Sequence, residues 1–146
     1  MNRLAALALA CTAFLTSAIA AAQASPLLVK DAWMRQVPGA DTAAVYLVLQ
    51  NTGREPVIVT GARSSAAHHV MIHETMTAAG KTQMRHRDQL IIPPGERVEF
   101  KPGGLHLMLS GFTQQPAVGE SVPLVLLLAN GAEVPVEARV RPLSAQ

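Results

Sequence analysis

Apolar and polar side chains alternate with a period of two along most of this chain, and clusters of Gly, Pro, Asn and Asp interrupt the alternation. Successive side chains of a β-strand point to opposite faces, so this pattern is typical of strands that bury one face. No stretch carries a sustained helical repeat of apolar positions. The pattern predicts ten strands, over residues 28–34, 43–50, 57–63, 69–74, 82–87, 89–92, 97–101, 106–111, 121–128 and 132–140.

The turns between these segments carry clear chemical signals. Asn130-Gly131, between the last two segments, predicts a hairpin with a type I′ turn, because both residue types tolerate positive φ. Pro93-Pro94-Gly95 and Pro102-Gly103-Gly104 mark two further turns. The alternation predicts that the last strand buries Val134, Val136, Ala138 and Val140. Closely spaced strands with such turns predict an all-β fold in a single domain, a Greek-key sandwich or barrel.

The N-terminus has the pattern of a secretory signal peptide. Arg3 precedes an Ala-rich apolar run, and Ala22-Gln23-Ala24 supplies a small-x-small cleavage site before Ser25. We therefore predict a signal peptide over residues 1–24, a mature domain over residues 25–146 and a periplasmic location. Cys11 raises the alternative of a lipid anchor, but Ala8 stands where such a signal prefers Leu, so we expect cleavage rather than lipidation.

The mature composition excludes several classes of function. Removal of the signal peptide takes away the only cysteine, which excludes disulfides, thiolate metal sites and a cysteine nucleophile. It also leaves eleven Lys and Arg against ten Asp and Glu, with no basic run, which argues against nucleic-acid binding. No second apolar segment is long enough to span a bilayer. About 122 residues suit one hydrophobic core.

Histidine and methionine stand two residues apart three times: Met71 with His73, Met84 with His86, and His106 with Met108. On a strand, residues i and i+2 share a face, so each pair presents an imidazole beside a thioether. Any one pair is explained by a core methionine and a hydrogen-bonded histidine. However, all five histidines and four of the five non-initiator methionines lie within residues 68–108. Soft thioethers favour Cu(I), so the cluster predicts a copper site.

The spacing within the cluster is specific. Ten residues separate His73 from Met84, and twenty-one more precede His106-Leu107-Met108. In this the chain resembles the PCu(A)C family of periplasmic copper chaperones, whose signature has the same residue types at the same intervals. The segments DAWMR, YLVLQNTG, IHETM and PPGERVEFKPGGLHLML also look like that family, so the resemblance covers essentially the whole mature chain. Some relatives carry a His- and Met-rich tail, which is absent from RPLSAQ at this C-terminus.

The resemblance implies a cupredoxin-like β-sandwich with one Cu(I) near its surface, held by His73, Met84, His106 and Met108. It also implies a protein that is not an enzyme and that delivers copper to an acceptor copper protein. The acceptor that the family suggests is the binuclear copper centre of cytochrome c oxidase subunit II, or an assembly factor of that oxidase. Another periplasmic copper protein remains open as the acceptor.

Other interpretations stay open on the sequence alone. A zinc or copper buffer would use the imidazoles of His68, His69, His73 and His106. A hydrolase would need one of Ser64, Ser65 or Ser110 as its nucleophile, but no G-x-S-x-G turn is present. An auxiliary copper position would draw on His68, His69, Met71, Met76 or His86. Trp33 is expected to anchor the core.

Overall fold

The computed structural model describes residues 25–144, so the predicted signal peptide lies outside the described residues. The described chain is all-β. Its ten strands are β1 Leu27–Gln36, β2 Thr42–Asn51, β3 Val57–Arg63, β4 Ala67–Ala78, β5 Lys81–His86, β6 Leu90–Ile92, β7 Arg97–Glu99, β8 Leu105–Phe112, β9 Ser121–Leu128 and β10 Glu133–Arg141. Between residues 25 and 144 there is no helix of the length and apolarity that a membrane span requires.

All ten predicted strands are present. The largest difference is β4, which extends past Glu74 to Ala78 because residues 75–78 pair with β5. In β10 the four predicted apolar positions are buried and the residues between them are exposed. The period-two alternation therefore identified the strands and, in β10, the buried face.

The strands follow one hydrogen-bonded path, β5-β4-β8-β2-β1-β10-β9-β3-β6, and β7 also pairs with β2. Every pairing is antiparallel except that of β1 with β10. A single hydrophobic cluster joins Ile72 of β4 and Leu107 of β8, near one end of the path, to Val59 of β3 and Ile92 of β6, at the other. The sheet therefore curls into two packed layers, which confirms the predicted sandwich.

The turn between β9 and β10 differs from the prediction. Gly131 has a φ of 84°, but Asn130 does not have positive φ, and the Gly131 amide donates to the Leu128 carbonyl. This is a three-residue loop in which a type I turn is followed by a left-handed glycine. The type I′ prediction is wrong because the Asn-Gly pair sits one position later in the turn than a two-residue loop requires.

The hairpin between β4 and β5 does have the two-residue form. Thr77 pairs with Thr82 and Ala78 with Lys81, while Ala79 and Gly80 have φ values of 50° and 72°. Two consecutive positive φ angles define a type I′ turn, which matches the twist of the flanking strands. This hairpin places β5, all of whose residues are exposed, at the end of the sheet path.

Candidate metal site

The predicted ligands come from three adjacent strands, β5, β4 and β8. His73 of β4 lies directly opposite His106 of β8 and, on its other side, opposite His86 of β5. Next to His73 and His106 in the sequence, Ile72 and Leu107 are buried in the core. Because neighbours on a strand point to opposite faces, the core side chains fix the histidines on the outer face of the layer.

Met84 reaches this face from the hairpin. It pairs with Thr75, one diagonal step from His73, and its Sδ lies 3.1 Å from His73 Nδ1. Metal bonds of about 2.0 Å to nitrogen and 2.3 Å to sulfur would hold two such donors about 3.1–3.5 Å apart at bond angles of roughly 90–110°. The sulfur and the imidazole nitrogen are therefore already spaced to share one ion.

A backbone carbonyl determines the tautomer of His106. Its Nδ1 lies 3.1 Å from the Gly104 carbonyl oxygen, which can only accept a hydrogen bond. The Nδ1 atom must therefore carry the proton and donate it. When the ring is neutral, its lone pair then lies on Nε2. A histidine that binds a metal through one ring nitrogen typically donates a hydrogen bond from the other, as His106 does to the Gly104 carbonyl.

His73 is held in the form that binds metals. His73 is only 9% exposed. Its ring centroid lies 5.9 Å from that of His106 and 5.6 Å from that of His86. Burial lowers the pKa of His73 below its usual value, and the neighbouring charges of His106 and His86 lower it further when those rings are protonated. A neutral imidazole offers a lone pair without losing a proton first.

Met108 completes the predicted set on β8. It lies opposite Met71 of β4 and is partly buried. Together with Met84 and His106 it lines a surface depression of about 370 Å³. The structure therefore brings the four predicted residues together on one face, and their role as copper ligands stays a prediction.

The remaining histidines and methionines of the cluster are more scattered. Met71 and His69 lie on the same face of β4 as His73. His69 is opposite Ser110, which follows Met108 by two residues in β8. His68 points to the opposite face of β4 and packs against Gly111. Met76 also points to that opposite face. The four histidines of the zinc alternative are thus divided between two faces. Among residues 25–144, no three His, Cys, Asp or Glu side chains are already gathered into a metal-holding group.

Ser64, one of the serines of the hydrolase alternative, has a structural role. Its hydroxyl donates to the Pro123 carbonyl at 2.6 Å and accepts from the Ala66 amide at 3.1 Å. These two bonds fasten the connection between β3 and β4 to β9. Neither of these two partners of the Ser64 hydroxyl is a histidine.

A cluster of aromatic and arginine side chains, not predicted from the sequence, borders the site. Trp33 and Tyr46 pair across β1 and β2 with ring centroids 4.7 Å apart. The Arg35 guanidinium lies 5.5 Å from both centroids, and that of Arg141 lies 5.0 Å from the Trp33 centroid. Burial raises the pKa of Tyr46, and the nearby Arg35 charge partly offsets this. Trp33 is buried, but beneath arginines on the site face rather than between the layers.

The signal for this placement was present in the alternation. Met34 is fully buried in the core, so Trp33 and Arg35 on either side of it must point outward. Arg35 and Tyr46 line the same depression as His106 and Met108. A positively charged side chain therefore stands at the edge of the candidate metal site.

These features define a β-sandwich that carries a half-exposed His and Met site on the outer face of one layer. Comparisons with known sequences agree with this class. The family model described as "Putative lipoprotein LpqE-like" matches residues 27–140. A relative named "Putative lipoprotein Lxx21020", from Leifsonia xyli subsp. xyli (strain CTCB07), is 33% identical over 123 residues, which cover 84% of this chain and 74% of the relative.

Solved structures extend the comparison. The Cu(I) form of DR1885 from Deinococcus radiodurans is 30% identical with a TM-score of 0.66, over 84% of this chain and 83% of that one. The copper-bound PCuAC domain from PmoF2 shares the fold with a TM-score of 0.68 and 24% identity, over 80% of this chain and 93% of that domain. This chain belongs to the LpqE-like family, which is the PCu(A)C family indicated by the spacing of its histidines and methionines. The predicted cupredoxin-like fold is confirmed.

Proposed function

We propose that this protein is an extracytoplasmic copper chaperone that holds one Cu(I) and passes it to an acceptor copper site. His73, Met84, His106 and Met108 would be the ligands. The observation that carries the proposal is the 3.1 Å approach of the Met84 sulfur to His73 Nδ1, beside His106, whose Nδ1 is engaged by the Gly104 carbonyl. Two imidazoles and two thioethers are neutral donors that suit Cu(I) better than Zn²⁺ or Mg²⁺.

The relatives support copper as the metal. Structures of DR1885 and of the PmoF2 PCuAC domain have been solved with copper bound, the former as Cu(I). The present chain has the same fold, and His73, Met84, His106 and Met108 lie on one face of it. We propose that copper is a cargo and not a resident catalytic cofactor, and that the protein acts as a carrier and not as an enzyme.

The exposure of the ligands fits a donor that releases its metal. Met84 is 54% exposed, whereas His73 and His106 are 9% and 5% exposed. A neutral ligand set leaves the positive charge of Cu(I) uncompensated, and an ion with such a charge is costly to bury deeply. An acceptor would displace the accessible Met84 first and the buried imidazoles last. Transfer would then be a stepwise exchange of ligands, with no bond made or broken in a substrate.

The resemblance to the PCu(A)C family suggests an acceptor. We propose the binuclear copper centre of cytochrome c oxidase subunit II, or a factor that assembles it, as the recipient in the periplasm. Arg35 places positive charge beside the site, and Arg141 adds charge over the neighbouring Trp33 ring, which favours an acceptor whose rim is acidic. Mixing the Cu(I)-loaded protein with an apo acceptor domain tests this directly, since transfer is visible as the absorption of the binuclear centre.

The route to the periplasm has two candidate forms. Cleavage before Ser25 releases a protein without cysteine, whereas the family and the Leifsonia relative carry names that describe lipoproteins. These names suggest Cys11 as an alternative site of lipid attachment. Mass spectrometry of the intact protein, purified from membranes and from the soluble fraction, distinguishes the released form from the lipid-anchored form. We expect the mass of residues 25–146, and a diacylated mass beginning at Cys11 would show an anchor instead.

A double variant separates a copper chaperone from a zinc or copper buffer based on histidine. Met84→Leu with Met108→Leu keeps the apolar volume nearly constant, and such exchanges cost less than about 1.5 kcal/mol of stability. We expect Cu(I) binding and transfer to fail while Zn²⁺ binding is unchanged. Cu(I) affinity and transfer equal to those of the wild type would show that the sulfurs are not ligands.

A further inference from the structure

His86 is a histidine of the cluster that the proposed Cu(I) site leaves unused. It occupies the position on β5 directly opposite His73, just as His106 does on β8. Three imidazoles therefore form one row across three adjacent strands, His86–His73–His106. The ring centroids of neighbouring members are 5.6 and 5.9 Å apart, and both contacts are edge-on.

A carboxylate accompanies His86. The Asp88 Oδ1 atom lies 3.3 Å from His86 Nε2, close enough to accept a hydrogen bond from that nitrogen with a small adjustment. When Nε2 carries the proton, the lone pair of the neutral ring is on Nδ1. A ligating histidine whose second nitrogen donates to a carboxylate is a recurrent arrangement in metal proteins, because it fixes the tautomer and raises the basicity of the ligand. The carboxylate charge also favours a divalent cation over a monovalent one.

We propose that the row His86–His73–His106 is a Cu(II) site that overlaps the Cu(I) site. The two sites share His73 and His106 and differ in their remaining ligands. Cu(I) takes the thioethers of Met84 and Met108, whereas Cu(II) takes the third imidazole. The proposal rests on the proposed function in two respects, that copper is the metal and that His73 and His106 are among the Cu(I) ligands.

Ligand preference and reach both support the overlap. Cu(II) prefers nitrogen and oxygen donors in a tetragonal arrangement, which three imidazoles and a water would supply. Directly opposite residues on neighbouring strands have Cβ atoms about 4.5–5.5 Å apart, within the span of imidazoles that share a central ion. As described, the three rings do not yet converge on one point. The His86 side chain is half exposed on a strand without buried residues, so its rotation meets little steric resistance.

The site has a functional consequence for a carrier in an oxidising compartment. A protein with only the mixed His and Met site would lose its hold on copper that arrives as Cu(II), since thioethers are poor ligands for that ion. The histidine row would retain Cu(II) at the same face. The position of Met84, two residues before His86 on the same face of β5, lets one edge strand supply either ligand.

The test is titration of the mature protein with Cu(II) sulfate against a competing chelator, together with electron paramagnetic resonance. The variant is His86→Gln and the matched control is His69→Gln, an exposed histidine on the same face of β4 but outside the row. We expect His86→Gln to weaken Cu(II) binding by about tenfold to a hundredfold, the least that loss of a direct ligand should cost. The nitrogen hyperfine pattern should fall from three imidazoles to two, and His69→Gln should leave both unchanged.

Measurement of Cu(I) affinity in the same variants separates this inference from the proposed function. His86→Gln should change Cu(I) affinity by less than about threefold, because the Cu(I) ligands are all retained. An unchanged Cu(II) affinity in His86→Gln, or an equal loss in His69→Gln, overturns the histidine row without touching the Cu(I) site. A wild-type Cu(I) complex without sulfur ligands overturns the proposed function, whatever the Cu(II) results.

Discussion

Met84 is the most exposed of the four proposed ligands, so its exchange for leucine tests ligation with the least disturbance of the fold. The residue is 54% exposed on β5, whose residues are all exposed. Met and Leu have similar volumes, and surface exchanges of this kind change the free energy of unfolding by about 0.5 kcal/mol or less. A loss of Cu(I) binding in Met84→Leu is therefore not explained by unfolding.

The expected size of that loss follows from the geometry. The Met84 sulfur is 3.1 Å from His73 Nδ1, so its removal takes one of four donors from the shared position. Even partners of metal ligands cost tenfold to a hundredfold in affinity when they are lost. We therefore expect Cu(I) affinity to fall by at least about that factor, which is about 1.4–2.8 kcal/mol. The assay is anaerobic competition against a colorimetric Cu(I) chelator.

Met76→Leu is the matched control for this experiment. Met76 is 42% exposed and lies on the same hairpin, paired with Gln83, but it points to the opposite face of β4. Its exchange should leave Cu(I) affinity unchanged. The reasoning is refuted if Met84→Leu binds Cu(I) as tightly as the wild type, or if Met76→Leu loses as much affinity as Met84→Leu.

Three further predictions concern the hairpin and the pH dependence. Ala79→Asn should raise the free energy of unfolding by about 0.5–1 kcal/mol in a urea titration, because Asn tolerates the positive φ of 50° at Ala79 better than Ala does. A free energy of unfolding no higher than that of the wild type would show that Ala79 does not strain the turn. Since the folded state lowers the pKa of His73, the unfolded chain binds that proton more readily, so stability should fall as pH drops through about 6.5 towards the folded value. His73→Gln should flatten that part of the stability curve, and parallel curves would contradict the cause. Cu(I) affinity should also weaken below about pH 6.5 as protons compete for the imidazoles, and an affinity that is flat from mildly acidic to alkaline pH would argue against histidine ligands.

The sequence predicted those features that depend on local alternation or on spacing within a known signature. All ten strands follow from period-two patterns, and the face of Met71 and His73 follows from Ile72 between them. The pairing of β4 with β8 could not be read locally, because its paired residues, from Glu74 with Leu105 to Ala67 with Phe112, lie 31 to 45 positions apart in the sequence and meet only through the packing of the whole sheet. The histidine row depends on that pairing for His106, whereas the β4–β5 hairpin places His86 on the other side of His73.

Two local details were also beyond the sequence pattern. The Asn130-Gly131 signal identified a hairpin, but its loop length depends on the register of β9 with β10, in which Leu128 bonds to Ala132. A large apolar residue such as Trp33 is expected to face the core, but Trp33 lies on the outer face that carries the site. An arginine can cover such a residue on an outer face as fully as a core can.

The most direct test of the account is X-ray absorption spectroscopy of the anaerobic Cu(I) complex of the mature protein. We predict one copper per chain with two sulfur and two nitrogen donors in its coordination shell. We also predict that Met84→Leu removes one of those sulfurs and that Met76→Leu removes none. A wild-type shell of nitrogen and oxygen donors without sulfur would contradict the assignment of Met84 and Met108, and with it the proposed copper chaperone.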